Sequence, residues 1–201
     1  MGRTSDAKDK LLDAAWELIW AGSYGGTSVD HICEHADVRK GSFYHYFTSK
    51  VELAKAALDR AWEDHLAELD HIFSPKHSPL DRLRKVCAYF TEEQRTQAVR
   101  HGRVLGCPVH SLGSEISTWE AELQEKVKEA IGKHQRYFET ALRDAVAAGE
   151  SPPIPEPAAR ARFITAYMEG ILLQARILND IHVLDNLMDG VLLLATASAS
   201  A

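Results

Sequence analysis

Residues 27–50, Thr-Ser-Val-Asp-His-Ile-Cys-Glu-His-Ala-Asp-Val-Arg-Lys-Gly-Ser-Phe-Tyr-His-Tyr-Phe-Thr-Ser-Lys, constrain the fold more than any other stretch of the chain. Thr27 is suited to cap a short helix with Asp30 at its third position and Val29, Ile32, Cys33 and Ala36 on its buried side. A turn is expected at Asp37, then a second short helix over residues 39–46, and Ser49-Lys50-Val51-Glu52 is a capping box that opens another. Helices of two turns do not persist alone in water, because ordering the first turn costs more than its few hydrogen bonds return. They must be braced from both sides, around Phe43, Phe47 and Leu53. Upstream, Leu11, Leu12, Ala15, Leu18 and Ile19 recur at helical spacing until Gly22, Gly25 and Gly26 interrupt them. The pattern is a helix-turn-helix inside a small bundle.

Charge asks whether that head can meet DNA. The whole chain of 201 residues carries a formal net charge of -6, so it is not basic throughout. A local patch is enough for phosphate attraction, however, and no acidic residue stands between Asp37 and Glu52, where Arg39, Lys40 and Lys50 supply positive charge. Three cations alone would read as a solvated face, so the pattern has to decide. With 45% hydrophobic and 26% charged residues the chain is an ordinary globular composition with a sizeable core. No apolar run reaches the roughly 20 residues of a membrane span, and the N-terminus lacks a secretory core, so a cytoplasmic protein is expected. Cys33, Cys87 and Cys107 are an odd number at wide spacing, which suits reduced thiols better than disulfides.

Beyond the head the periodicity stays helical. A fourth helix is expected over residues 50–72, closed by Ser74-Pro75, and another after Ser78-Pro79 with Leu83, Val86, Cys87 and Phe90 on one side. A short helix over residues 95–105 would stop at Gly106 and Pro108, and the longest would run over residues 114–148. A proline-rich loop then leads to helices over residues 157–178 and 183–195. No phosphate loop, paired-cysteine metal site or nucleophile elbow occurs, and no cofactor is expected. His31 and His35 stand one turn apart, a spacing that suits a metal but more often marks a solvated pair.

Residues 7–55 resemble the N-terminal domain of the TetR family of transcriptional regulators. The resemblance rests on a helix followed by Thr-Ser-Val-Asp-x-Ile from Thr27, Gly-Ser-Phe-Tyr-His-Tyr-Phe from Gly41 and Ser-Lys-x-Glu-Leu from Ser49, about a quarter of the chain. Two positions depart from it. Asp37 replaces the usual turn glycine, and Asp tolerates a left-handed backbone better than most residues. Arg39 replaces the small hydroxyl residue that caps the recognition helix, which weakens the cap and adds a cation. The resemblance implies an all-α protein with a three-helix DNA-binding head over residues 1–50 and a larger effector-binding and dimerisation body over residues 51–201. Lys40, Gly41 and Ser42 would enter the major groove, with Tyr44 and His45 at base edges or sugar-phosphate. Thr27, Ser28, Arg39, Thr48 and Lys50 would hold phosphates. Phe43 and Phe47 read as core, and Tyr46 fits either role.

The same resemblance implies a homodimer on a palindromic operator, since two heads about 34 Å apart read successive turns of DNA. Phe163, Gly170, Ile171, Leu184, Leu187, Met188, Val191 and Leu194 are assigned to that interface; the plainer reading is that both helices line the protomer core. An apolar effector pocket would draw on Tyr89, Phe90, Val104, Cys107, Trp119, Phe138, Phe163, Tyr167 and Met168, although aromatic stripes more often form plain core. Gly106-Cys107 interrupts the helical pattern and is similar to the Gly-Cys of some TetR-type regulators, a few of which respond to oxidants or electrophiles through a cysteine; the resemblance thus offers Cys107 as a sensor, its thiolate aided by Arg103 or Arg176. Standing after a helix C-terminus would disfavour the thiolate, leaving an inert thiol as the simpler reading and a Cys107/His110 metal pair below both. The expectation is a one-component repressor; the contrasting class is an all-α enzyme or binding protein using the head as an interaction module.

Overall fold

The structure is a computed structural model that describes residues 3–198. Among these residues there are nine α-helices, one 3-10 segment and no strand. The helices are α1 (Arg3–Ala21), α2 (Val29–His35), α3 (Lys40–Tyr46), α4 (Lys50–Ile72), α5 (Pro79–His101), α6 (Pro108–Ile116), α7 (Ala121–Ala147), α8 (Pro157–Leu178) and α9 (Leu187–Thr196), with the 3-10 segment at Ile181–Asn186. No described helix is long and apolar enough to cross a membrane.

Several helix boundaries differ from the sequence expectation. Residues 79–101 form one helix rather than two, because no glycine or proline interrupts them and Glu92, Gln94 and Arg95 favour helix at the expected break. Gly102, at φ 68, ends the helix in the left-handed conformation that glycine adopts without a Cβ penalty. Pro108, expected as a stop, is the first residue of α6, where its missing N–H costs nothing. The long helix starts at Ala121 rather than near residue 114, after a turn that contains Trp119.

The described chain falls into two compact units. The first comprises, of the described residues, 3–65 and 108–130. Its centre is Leu11, Ala15, Ile32, Phe43 and Leu53, all without solvent exposure, so α1, α2, α3 and α4 brace one another as the short helices require. Burying the Phe43 side chain alone contributes about 2–3 kcal/mol. Ile116, Leu123 and Val127 bring α6 and α7 into the same unit's apolar interior. Exposed ion pairs of Lys55 with Glu122 and Lys126 with Asp59 join α4 to α7, contributing about 0–1 kcal/mol each.

The second unit comprises, of the described residues, 66–107 and 131–198. Phe138 is fully buried, with the Phe73 ring edge-on at 5.7 Å and the His134 ring at 5.2 Å. Arg82, buried, donates to Asp144 at 2.5 Å and to the His77 carbonyl at 3.0 Å. The helix α9 packs on α5 and α8 through Leu187, Val191 and Ala195, all at zero exposure. Close approach occurs at Gly190, where an added Cβ would lie 2.1 Å from the Tyr167 ring. Gly170, expected to permit such packing, has nothing within 4 Å of the same position.

Candidate DNA-binding head and sensing body

Ser28, not Thr27, caps α2: its Oγ accepts the His31 N–H at 3.1 Å. The Thr27 hydroxyl turns inward and donates to the Ser23 carbonyl at 2.7 Å, and the residue is only 6% exposed. Thr27 therefore does not offer its hydroxyl to a phosphate. The turn after α2 passes through Asp37 at φ 52, the left-handed conformation expected there. Arg39 precedes α3 with no side-chain cap, and it is exposed.

The seven residues of α3 divide by face. Phe43 is fully buried, and Phe47 follows it into the core at 3% exposure. Lys40 with Tyr44, and Gly41 with His45, stand four residues apart on the outer side, where one turn sets them side by side. Tyr44 is 58% exposed with its ring edge on Phe43 at 5.0 Å, so a buried aromatic residue supports an exposed one. Nothing lies within 4 Å of a Cβ built on Gly41. Ser42 is half-buried, and Tyr46 packs against the head core with His45 edge-on at 4.8 Å. Lys40 reaches Asp30 at 2.7 Å and ties α3 to α2. His35 pairs with Glu17 at 3.5 Å.

The box before α4 forms with one shift. Ser49 Oγ accepts the Glu52 N–H at 3.1 Å, while Glu52 reaches back to the N–H and hydroxyl of Thr48, both at 2.7 Å. Those two bonds hold the Glu52 carboxyl below its ordinary range. Lys50, expected to hold phosphate, points into the protein. Its Nζ donates to the carbonyls of Tyr24 and Thr27, each at 2.9 Å, and lies 4.1 Å from the Tyr24 ring centroid. Burial lowers its pKa, against the opposing pull of Glu115. Glu115, from α6, was not foreseen in the sequence: its carboxylate accepts the backbone N–H groups of Tyr24 at 2.8 Å and Gly25 at 2.6 Å. No short-range signal links residues 90 positions apart.

The residues expected around an effector separate. Phe90, Val104, Phe138 and Met168 are buried, and Tyr89 is half-buried with its hydroxyl pKa pushed up by burial and then by Glu93 and Glu68. Burial also raises the Glu93 carboxyl to about 7. Trp119 belongs instead to the turn before α7, 56% exposed, with its indole N–H on the Glu115 carbonyl at 2.9 Å and its ring 5.7 Å from Tyr24. Phe163 is 61% exposed on the outside of α8. Tyr167 lies against Gly190 and donates its hydroxyl to the Asn186 carbonyl at 2.8 Å. A separate groove of about 630 Å³ in the second unit is lined by Phe73, Arg82, Arg136 and Tyr137, among others, and by none of the residues expected around an effector.

Cys107 ends a strap whose backbone is fastened on both sides. Gln94, 1% exposed, accepts the Gly106 N–H at 2.7 Å and donates to the Gly106 carbonyl at 3.1 Å. Arg176 donates to the Leu105 carbonyl at 2.8 Å. The Cys107 sulfur lies within 4.8 Å of a Glu169 carboxylate oxygen. Burial pushes the Glu169 carboxyl up to about 7, against a hydrogen bond to Cys107 that lowers it. The expected placement after a helix C-terminus is corrected, because α5 ends at His101 and Cys107 immediately precedes the first residue of α6. Helix N-termini favour a thiolate. Cys33 and Cys87 are buried, and burial takes the Cys87 thiol to about 12.

The assigned interface residues also divide. Leu184, Leu187 and Val191 are buried within the protomer. Gly170, Ile171, Met188 and Leu194 are half-buried. On α8 and α9 the exposed large apolar side chains are Phe163, Leu173, Ile177, Leu178 and Leu193. Apart from Phe163 these were missed, although Leu173 and Ile177 continue the helical period from Phe163 and Gly170.

The family described as bacterial regulatory proteins, tetR family, matches residues 11–57, and the tetracyclin repressor-like C-terminal domain matches residues 79–191. The transcriptional regulator AcuR of Cereibacter sphaeroides is 32% identical over 173 residues, 85% of this chain and 77% of that protein. A crystal structure of the regulatory protein TetR from Rhodobacter sphaeroides superposes with a TM-score of 0.80 at 30% identity, covering 92% of this chain and 96% of that one. The reduced form of Escherichia coli NemR gives a TM-score of 0.78 at 26% identity, covering 92% and 95%.

Proposed function

Because the chain belongs to the TetR family of DNA-binding transcriptional regulators, we propose that it is a repressor that holds a palindromic operator as a homodimer and leaves it when a small apolar effector enters the body. Regulators of this family are not enzymes, so the reading of the head as an enzyme's interaction module is set aside. The observation that carries the proposal is the outer row of α3, Lys40, Gly41, Tyr44 and His45, seated on the buried Phe43. A rigid aromatic base behind exposed polar groups keeps their geometry fixed while they meet base edges. Ser28, Arg39 and Ser42 flank that row and suit phosphate, whereas the hydroxyl and N–H of Thr48 are taken by Glu52. The second head comes from a partner joined through the exposed apolar face of α8 and α9.

Selection of an operator from random DNA by the full-length protein tests this reading. Tyr44→Ala is expected to weaken binding to the selected operator about ten- to a hundredfold, as loss of one base contact does. Binding that is absent, or that does not weaken with salt, would defeat it.

A second reading is favoured by one contact, that of Cys107 with Glu169. A thiol hydrogen-bonded to a carboxyl has a group at hand to take its proton as the sulfur attacks, and a soft electrophile adding to that sulfur would signal from the body. The relative NemR was crystallised in a form described as reduced. Alkylation followed by operator release, compared between wild type and Cys107→Ser, tests it; the same response in both would sink the thiol-sensor reading.

A further inference from the structure

We propose that Glu115 of α6 is a positioning residue for DNA reading: with Lys50 it locks the Tyr24–Gly25 peptide between an anion and a cation, and so closes the two ends of the helix-turn-helix onto each other. The proposal rests on the DNA-binding reading of the head.

The turn from α1 to α2 contains Gly22, Gly25 and Gly26, and such a segment has to be fixed from outside because its own side chains restrict it little. On the amide side, the two oxygens of Glu115 take the N–H groups of Tyr24 and Gly25. On the carbonyl side, the Lys50 ammonium takes the oxygens of Tyr24 and Thr27. The peptide group between Tyr24 and Gly25 thus directs its N–H at a carboxylate and its C=O at an ammonium. Its dipole is aligned between opposite charges, and both contacts are of the stronger, charge-assisted kind. The Tyr24 side chain, 2% exposed, seals the arrangement under Lys50 and Trp119. Gly25 leaves room for it: a Cβ there would stand 2.8 Å from the Glu115 oxygen.

What the lock holds is set by where its residues lie. Thr27 directly precedes the cap of α2, and Lys50 is the first residue of α4, the helix that follows α3. The bond from Lys50 to the Thr27 carbonyl therefore joins entrance to exit across 23 residues. Glu115 supplies the opposing charge from α6, so the orientation of α6 is read directly by the turn that launches α2.

The test uses the full-length protein and the operator selected by the wild type, with Glu115→Gln and Gly25→Ala. Glu115→Gln keeps the size and removes the charge; Gly25→Ala leaves Glu115 in place but pushes its oxygen aside. Amide hydrogen exchange without DNA is expected to speed up at Tyr24 and Gly25 about tenfold or more, with the Ile32 amide unchanged. Operator affinity is expected to fall about tenfold in each variant, and the double variant is expected to bind no worse than the weaker single one. The direction is diagnostic, because removing a carboxylate from a DNA-binding head would by charge alone tighten binding. Unchanged exchange at Tyr24 and Gly25 in Glu115→Gln, or affinity that is unchanged or tighter despite faster exchange, would overturn the proposal. Failure of the wild type to select any operator would overturn the DNA-binding reading instead, and the exchange measurement would still report on the lock itself.

Discussion

The turn at residues 22–27 and the strap at residues 105–107 are both irregular backbone fastened by side chains from distant parts of the sequence, yet the fastenings differ in kind. At the turn they are charged: Glu115 and Lys50, each half-buried. At the strap the central one is neutral and sealed: Gln94, 1% exposed, holds both polar groups of Gly106. A buried neutral amide cannot be loosened by salt or protonation, and leaving its partners unmet costs the full desolvation of each. A half-buried ion can exchange its partners with water at lower cost. The strap is thus held by sealed, uncharged bonds, and the turn by charged ones within reach of water.

Gln94→Ala is expected to break that contrast most severely. It removes both bonds from the buried Gly106 peptide groups and should lower unfolding stability by about 2–4 kcal/mol, measured by urea denaturation. Gly106→Ala comes next. Its φ of 68 disfavours any Cβ, which would also meet the Leu172 carbonyl at 3.2 Å, so a loss of about 1–3 kcal/mol is expected. Gly25→Ala meets the end of a flexible side chain instead, and its stability loss should stay below about 1 kcal/mol in the same measurement. Equal losses at the two glycines would erase the distinction between the clamps.

A pH dependence sharpens the strap's side of the comparison. Burial raises the Glu169 carboxyl from its ordinary 4.5 to about 7, so the folded protein holds a proton there that the unfolded chain has released. Its contribution is fully present below about pH 4.5 and is lost as pH rises towards 7. Glu93, raised likewise to about 7, acts in the same direction. His110, three residues beyond Cys107, acts in the opposite sense: burial lowers it from 6.5 to about 4, so its contribution is present above 6.5 and fades on acidification. Glu169→Gln should flatten the decline in urea midpoint between pH 5 and 7. A slope equal to that of the wild type would remove Glu169 from the account.

The head was legible because its constraints are local. Phe43 and Phe47, the left-handed Asp37 and the box at Ser49 and Glu52 each follow from residues within a turn or two of one another. The body's helices were legible from periodicity, but the division of their faces was not. Leu184 and Leu187 are as apolar as Ile177 and Leu178, and burial alone separates them, which depends on how α9 packs on α5 and α8. Trp119 was misplaced for a similar reason, since the break between α6 and α7 carries neither glycine nor proline. Glu115 was invisible because its partners are backbone amides, which have no sequence signature.

Lys50 and Arg39 supply the finest discrimination. Both were expected to hold phosphate, but only the Lys50 ammonium is engaged with carbonyls of the α1–α2 turn, while Arg39 is exposed beside the start of α3. A cation that neutralises a phosphate releases a condensed counterion, so losing it reduces the slope of log affinity against log salt by about 1. Arg39→Gln should therefore bind the operator less tightly and with a shallower slope. Lys50→Gln should also bind less tightly, because the turn loses its cation, yet keep the wild-type slope. Titrating both variants across a range of salt concentrations separates these roles. A shallower slope for Lys50→Gln would mean that its ammonium leaves Tyr24 and Thr27 for a phosphate when DNA arrives, making the turn's charged clamp part of the DNA contact rather than its support.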